Sequence, residues 1–155
     1  MPRSEGKLSA CLLSQRQSGR KLPTRPLQRL VRLALGRLGQ NGGRVELTLV
    51  GDEEIHALNR RYLGRNRSTN VISFASDEPG RLGEIIVNVN HAAREAEAAQ
   101  TALLYMVGFY VIHGLLHLAG YDHERSGPAE AARMEHAQKQ MQDLLDDLAP
   151  SEKQR

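Results

Sequence analysis

The residues with the greatest chemical capacity lie between His113 and His123, in the run His-Gly-Leu-Leu-His-Leu-Ala-Gly-Tyr-Asp-His. His113 and His117 are four apart, so on a helix they stand one turn apart on one face, the separation at which two imidazoles share a cation. Gly120 admits the left-handed conformation that ends a helix, which turns the chain back and brings His123 toward the pair. Three nitrogen ligands with a fourth position left open describe a catalytic rather than a structural zinc site. A lone histidine on an apolar helix is more often a hydrogen-bonded core residue than a ligand. Here, however, half of the six histidines fall within eleven residues, and burying three imidazoles without partners would be costly. The reading is one Zn2+ ion held by His113, His117 and His123.

Zinc on neutral imidazoles lowers the pKa of its water to about 7 and polarises a carbonyl or phosphoryl oxygen, so the reaction class is hydrolysis. The ligand spacing is that of the metzincin proteases, which carry a glutamate base directly after the first histidine. This chain has Gly114 there, and a glycine cannot take a proton. A peptidase would need another carboxylate at the water, such as Glu124 or Glu135. Phosphodiester hydrolysis uses what is present, because a metal and fixed cations neutralise charge growing on phosphoryl oxygens. Arg60, Arg61, Arg65 and Arg67 supply such cations just before Val71, in a loop that could reach the metal. Asp122 could orient an imidazole by hydrogen bonding to it, or simply stabilise the turn after Gly120.

The elements that must position these groups follow from periodicity. Leu8 to Leu13 reads as a short first strand. Pro26 is accepted in the first turn of a helix, and Leu27, Leu30, Val31, Ala34 and Leu38 recur at helical spacing with arginines elsewhere on the circumference. Val45, Leu47 and Leu49 alternate as a strand. Asp52 is suited to cap a helix with Ile55, Leu58 and Tyr62 on one face. A loop from Gly64 to Asn70 follows, then strands over Val71 to Phe74 and Ile85 to Val89, separated by the turn Asp77-Glu78-Pro79-Gly80. Asn90 is a candidate cap for a helix to about Ala99, and Thr101 a candidate start for the apolar helix that carries the histidines. Pro128 opens a last amphipathic helix with Met134, Ala137, Met141, Leu144, Leu145 and Leu148 inward. The expectation is a single α+β domain over 1–155, a small mixed β-sheet packed with about five helices and a central buried helix bearing the three-histidine metal site, with 1–6 and 150–155 frayed.

The chain's 155 residues can form one core. The single Cys11 excludes an intramolecular disulfide and fits a reducing compartment. No signal peptide is legible, and Ala102 to Leu118 reads as a buried helix rather than a membrane span. Charge is uneven. Residues 1–45 hold ten Lys and Arg against Glu5 alone, so this segment is +9 in a chain of +3 and the remainder is −6. That asymmetry points to a polyanion such as RNA. With no Trp, two Phe and four Tyr, contact would run through phosphates more than stacked bases.

The run from His113 to His123 resembles the signature of the YbeY family, bacterial endoribonucleases that act as rRNA maturation factors. Leu58-Asn59-Arg60-Arg61-Tyr62, Ser68-Thr69-Asn70-Val71-Ile72-Ser73-Phe74 and Leu82-Gly83-Glu84-Ile85 are similar to the family's other segments, so the likeness runs from about Leu47 to His123. It implies a zinc-dependent, single-strand-specific endoribonuclease, cytoplasmic, that matures the 3′ end of small-subunit ribosomal RNA and serves ribosome quality control. Its partners would be single-stranded RNA, ribosomal RNA or the small ribosomal subunit, with no membrane and no DNA. By resemblance His113, His117 and His123 are the zinc ligands. Where the family usually has an arginine after its aromatic residue, this chain has Leu63 after Tyr62, so either Arg61 or Arg65 takes that role from a neighbouring position or the chemistry here is weaker. Ser68, Ala75 and Glu84 are milder departures. Other readings are a metal-dependent hydrolase of another substrate, or a ribosome-associated binding protein whose metal is structural.

Overall fold

The computed structural model describes residues 9–121 and 127–149. The expected fraying of 1–6 and 150–155, together with Asp122, His123 and Glu124, falls outside these residues. The described chain runs β1 (Ala10–Gln15), α1 (Thr24–Arg37), β2 (Arg44–Val50), α2 (Asp52–Leu63), β3 (Val71–Ala75), β4 (Arg81–Asn88), α3 (Val89–Ala99), α4 (Leu103–Leu118), α5 (Gly127–Lys139) and α6 (Gln142–Leu148). It forms one α+β domain around a four-stranded sheet of order β1-β2-β4-β3. β1, β2 and β4 are parallel and β3 is antiparallel to β4, so the sheet is mixed and β3 is an edge.

Side chains alternate across the sheet, and the register assembles each face in rows. Leu13, Leu47, Ile85 and Ser73 form one row, and Gln15, Leu49, Val87 and Val71 the next. This face carries the main core, closed by Leu27, Leu30, Val31 and Leu35 of α1, by Val107, Val111, Ile112, Leu115 and Leu116 of α4, and by Leu144 and Leu145 of α6. The opposite face is covered only in part, where Ile55 and Leu58 of α2 meet Val50, Ile72, Phe74 and Ile86. Helices α2 and α4 therefore clasp the β3 side of the sheet from opposite faces. Among the described residues no single helix is long and apolar enough to cross a membrane, and the chain bends by 118° between α3 and α4.

Several boundaries differ from the periodic reading, each for a local reason. The first strand is shifted to Ala10–Gln15 and β4 begins at Arg81, four residues before its apolar run. Arg81 is carried into the sheet by its ion pair with Glu46 of β2. Asn90 does not cap its own helix. Asn88 caps α3, its side chain accepting from the His91 N–H, while Asn90 Oδ1 accepts the Asp52 N–H at 2.8 Å and so caps α2 from outside. Asp52 is thereby the first residue of α2 rather than its cap, which is Gly51. Tyr62 leaves the buried face of α2 and is 58% exposed. The apolar helix starts at Leu103, after Ala102. The single last helix is two, α5 and α6, broken at Gln140–Met141, so the described residues hold six helices. Met141 remains buried at the break, which lets both pieces keep their inner faces against α1 and α4.

Candidate active site

Helix α4 has no exposed residue from Leu103 to Leu118. Two glycines let it pack so closely. A Cβ on Gly114 would stand 2.8 Å from Ile85 Cγ2 and 3.1 Å from Ser73 Oγ, and the Ser73 hydroxyl donates to the Gly114 carbonyl at 3.4 Å. The position that holds a glutamate base in metzincins is thus pressed against the sheet. A glutamate could enter there only by displacing Ile85, so the peptidase base is ruled out on steric as well as chemical grounds. The alternative Glu135 is 72% exposed and pairs with Lys139 at 3.4 Å.

At about 100° per residue, Val111, Ile112, Leu115 and Leu116 face the core. His113 and His117 occupy the other flank, half-buried, on the side of the edge strand β3. The helix ends as Gly120 requires. The Tyr121 N–H donates to the Leu116 carbonyl at 3.0 Å, the Gly120 N–H donates to the His117 carbonyl at 3.1 Å, and Gly120 has φ of +104°. This is the Schellman pattern of paired bonds around a left-handed residue, and it ends the helix directly after the second histidine. Arg133 of α5 lies over the Tyr121 ring at 4.2 Å.

The two imidazoles turn their Nε2 atoms toward each other, 3.2 Å apart, with ring planes at 70°. Two nitrogens bound to one tetrahedral zinc at about 2.05 Å would stand about 3.3 Å apart, so the separation of the pair is the one a shared cation needs. With no cation between them the same separation closes an N–H···N bond, with one ring donating. Among the described residues no third His, Cys, Asp or Glu completes a metal cluster, and His123 and Asp122 lie outside them.

The same flank of α4 continues into a polar network that sequence reasoning missed. Tyr110, one turn before His113, donates its hydroxyl to Glu95 of α3, which also accepts from His91 at 2.7 Å. Burial, and then the Glu95 carboxylate, raise the Tyr110 pKa above its usual value, while Asn70 beside the same hydroxyl opposes this. Asn70 ends the loop before β3, so that loop joins α4 on the histidine flank. The loop is pinned from within by two asparagines. Fully buried Asn88 donates to the Thr69 carbonyl, Ser68 and Asp52, and Asn59 donates to the Arg67 carbonyl at 2.9 Å. Asp52 accepts both arms of the Arg94 guanidinium at 2.9 Å, and this bond, reinforced by Asn88, lowers its carboxyl to about 2. An asparagine inside the apolar run from Ile85 to Val89 is the signal that could have found Asn88, because a polar side chain in a buried strand must find partners.

Arg61 sits in the last turn of α2 rather than in the loop, and Arg65 at the far end of the loop, both exposed. The Arg61 guanidinium lies 5.8 Å from the ring of Tyr62, which in turn meets Phe74 edge-on, and Arg65 is fixed through its backbone N–H to the Asn59 carbonyl. Among the described residues neither guanidinium pairs with a carboxylate, so both remain available to an anion. Cys11 is buried and its thiol is pushed up to about 11 by burial, which makes it a core residue rather than a ligand or nucleophile.

Comparison with known proteins follows the same residues. The family model for Endoribonuclease YbeY matches residues 13–146. Proteins named Endoribonuclease YbeY from Geobacter sulfurreducens and Geobacter metallireducens are 42% and 38% identical over 141 residues, each alignment covering 86% of this chain and 94% of the relative. The one from Syntrophus aciditrophicus is 37% identical, covering 88% of this chain and 89% of its own. A solution structure of a Thermotoga maritima protein superposes with a TM-score of 0.66 at 28% identity, over 88% of this chain and 89% of that one. With matches that span the sheet, the pinned loop and the histidine helix alike, the chain belongs to the Endoribonuclease YbeY family.

Proposed function

We propose that this chain is a metal-dependent endoribonuclease that cleaves single-stranded RNA, with ribosomal RNA of the small subunit as its substrate class and the cytoplasm as its place of action. Family membership supports the endonuclease reading, and the observation that carries the metal is the 3.2 Å approach of His113 and His117 Nε2 beside a helix end made by Gly120. His113 and His117 would hold one zinc ion, with His123 as the third ligand by the family motif. The bound ion would supply Lewis acidity toward a phosphoryl oxygen and toward water.

The chain's own groups do the rest. Arg61 and Arg65 present unpaired guanidiniums that orient the phosphodiester and neutralise charge on its non-bridging oxygens. Leu63 in the family's arginine position is 45% exposed and contributes no charge, so the two arginines flank the position the family fills. The Asn59, Asn88 and Asp52 network fixes the loop that carries Arg65, which lowers the ordering cost of binding. Asp122 would orient the imidazole of its neighbour His123. Gly114 keeps α4 against β3 and so holds the histidine flank at the sheet edge.

The test is His117→Ala, assayed for metal content and for cleavage of single-stranded and double-stranded RNA with and without chelator. Metal and cleavage are expected to fall together, because two nitrogens rarely hold zinc tightly. One full equivalent of metal retained in the purified variant would overturn the site, and turnover that survives chelation would overturn the metal's role.

A further inference from the structure

We infer that the exposed face of α1 is a second RNA-binding surface, a phosphate-docking stripe remote from the histidine pair, and this rests on the nuclease reading above. The argument starts from which arginines are satisfied. Arg16, Arg37, Arg44, Arg81, Arg94 and Arg133 each pair with a carboxylate. The remaining described arginines carry no such pair and fall into two groups. One is Arg60 and Arg61 in the last turn of α2 with Arg65 and Arg67 in the loop after it. The other is Arg20 with Arg25, Arg29 and Arg32 of α1.

The spacing of the second group is helical. Arg25, Arg29 and Arg32 lie at i, i+4 and i+7, on one face and over about 10 Å of axis. All three are exposed, while Leu27, Leu30, Val31, Ala34 and Leu35 fill the opposite face. They line a cavity of about 660 Å³ between α1 and α6, floored by Leu30, Leu144 and Leu148. Asp147 lines the same cavity without pairing with any of the three. At the end of the same helix Arg37 is neutralised by Asp143 through two hydrogen bonds of 2.6 and 2.5 Å. Acids were thus within reach of this face, and three guanidiniums remain without one.

Position decides the occupant. α1 packs on β1, at one edge of the sheet, and the histidines and the α2 arginines lie at the β3 edge. Three strand spacings, about 14 Å, separate the edges within the sheet, and α1 and α2 lie on opposite faces of it, so the two arginine groups stand further apart than that. A second unpaired cationic patch at that distance suits a polyanion long enough to reach both, and the phosphate backbone of RNA flanking the cleaved strand is that partner. The stripe reads no sequence; it adds affinity for long substrates.

The experiment compares the wild type with the triple substitution Arg25→Gln, Arg29→Gln, Arg32→Gln, using a long unstructured RNA and an oligonucleotide too short to reach both edges. Binding is read by anisotropy across a salt series, cleavage as kcat and KM, and folding by thermal melting. For the long RNA the variant should bind at least about tenfold more weakly at low salt, and its log–log salt slope should drop by about 2, three lost contacts at about 0.7 each. KM should rise to match, with kcat unchanged and the short substrate unaffected. Lysine at the same three positions should restore binding, since a phosphate accepts a point charge. Unchanged long-RNA affinity, an equal loss on both RNAs, or displacement of RNA by polyglutamate at equal charge would overturn the proposal. Wild-type protein that binds the long RNA without cutting it would instead sink the nuclease reading and leave the stripe standing.

Discussion

Gly114→Ala isolates the contact that sets α4 on the sheet. Replacing a helical glycine by alanine should stabilise the helix by about 1 kcal/mol. Against this, the new methyl lands 2.8 Å from Ile85 Cγ2 and 3.1 Å from Ser73 Oγ. Ile85 is fully buried and β-branched in a central strand, so its methyl cannot swing away. Overpacking of this kind costs about 1–3 kcal/mol, so the expected net loss is about 1 kcal/mol, or a Tm lower by about 2–4 °C for a chain of this size. Gly108 on the same helix is the control. A Cβ there meets the terminal methyls of Leu148, Leu145 and Leu30, which can rotate, so Gly108→Ala should lose less. Gly114→Glu should lose several kcal/mol, because a carboxylate is added where no partner waits. Urea denaturation followed by circular dichroism gives all three values, and metal titration should show weaker binding in Gly114→Ala as the histidine flank is lifted. A Gly114→Ala variant as stable as the wild type, or more so, would refute the close packing on which the placement of His113 and His117 rests.

Two further predictions concern the loop. Asp52→Asn should cost about 1 kcal/mol at neutral pH: the shift from 3.8 to about 2 corresponds to roughly 2.5 kcal/mol unscreened, and solvent at a side chain 39% exposed reduces it. Because the folded pKa lies below the unfolded one, this stability is present above about pH 4 and vanishes as pH falls toward 2. The gap between wild type and variant in pH-dependent denaturation should close over that range, and a gap constant with pH would disprove the Arg94 pairing as its source. Arg61→Ala and Arg65→Ala should each slow RNA turnover on the order of tenfold while metal content stays intact; if neither changes cleavage, the arginines do not stand in for the residue replaced by Leu63.

Much of the fold was legible because its signals are short-range. The alternation of Val45, Leu47 and Leu49 marked a strand whose inner residues are indeed fully buried, and the spacing from His113 through Gly120 anticipated a helix that ends in a left-handed residue. What was not legible depends on partners distant in sequence. Asn90 and Asp52 both looked like caps, and only the approach of α3 to α2 decides that Asn90 serves the other helix and that Asp52 is claimed by Arg94. β4 begins early because Arg81 has a partner on a strand 35 residues away. The break at Gln140–Met141 follows from α5 and α6 having to fit the surfaces of α1 and α4, which no local pattern encodes. The glycine at position 114 showed what chemistry was missing; that a larger residue would have to push Ile85 aside required the sheet.

Helix α6 has a consequence for the stiffness of the histidine helix. Leu144 and Leu145 close the layer over α1 and α4, with Leu145 fully enclosed. A Cβ on Gly108 would meet Leu145 and Leu148 of α6 and Leu30 of α1, so three helices wedge together little more than a turn ahead of His113. Without that wedge α4 would lose its brace on the side of α6, and the histidines would ride on a looser beam.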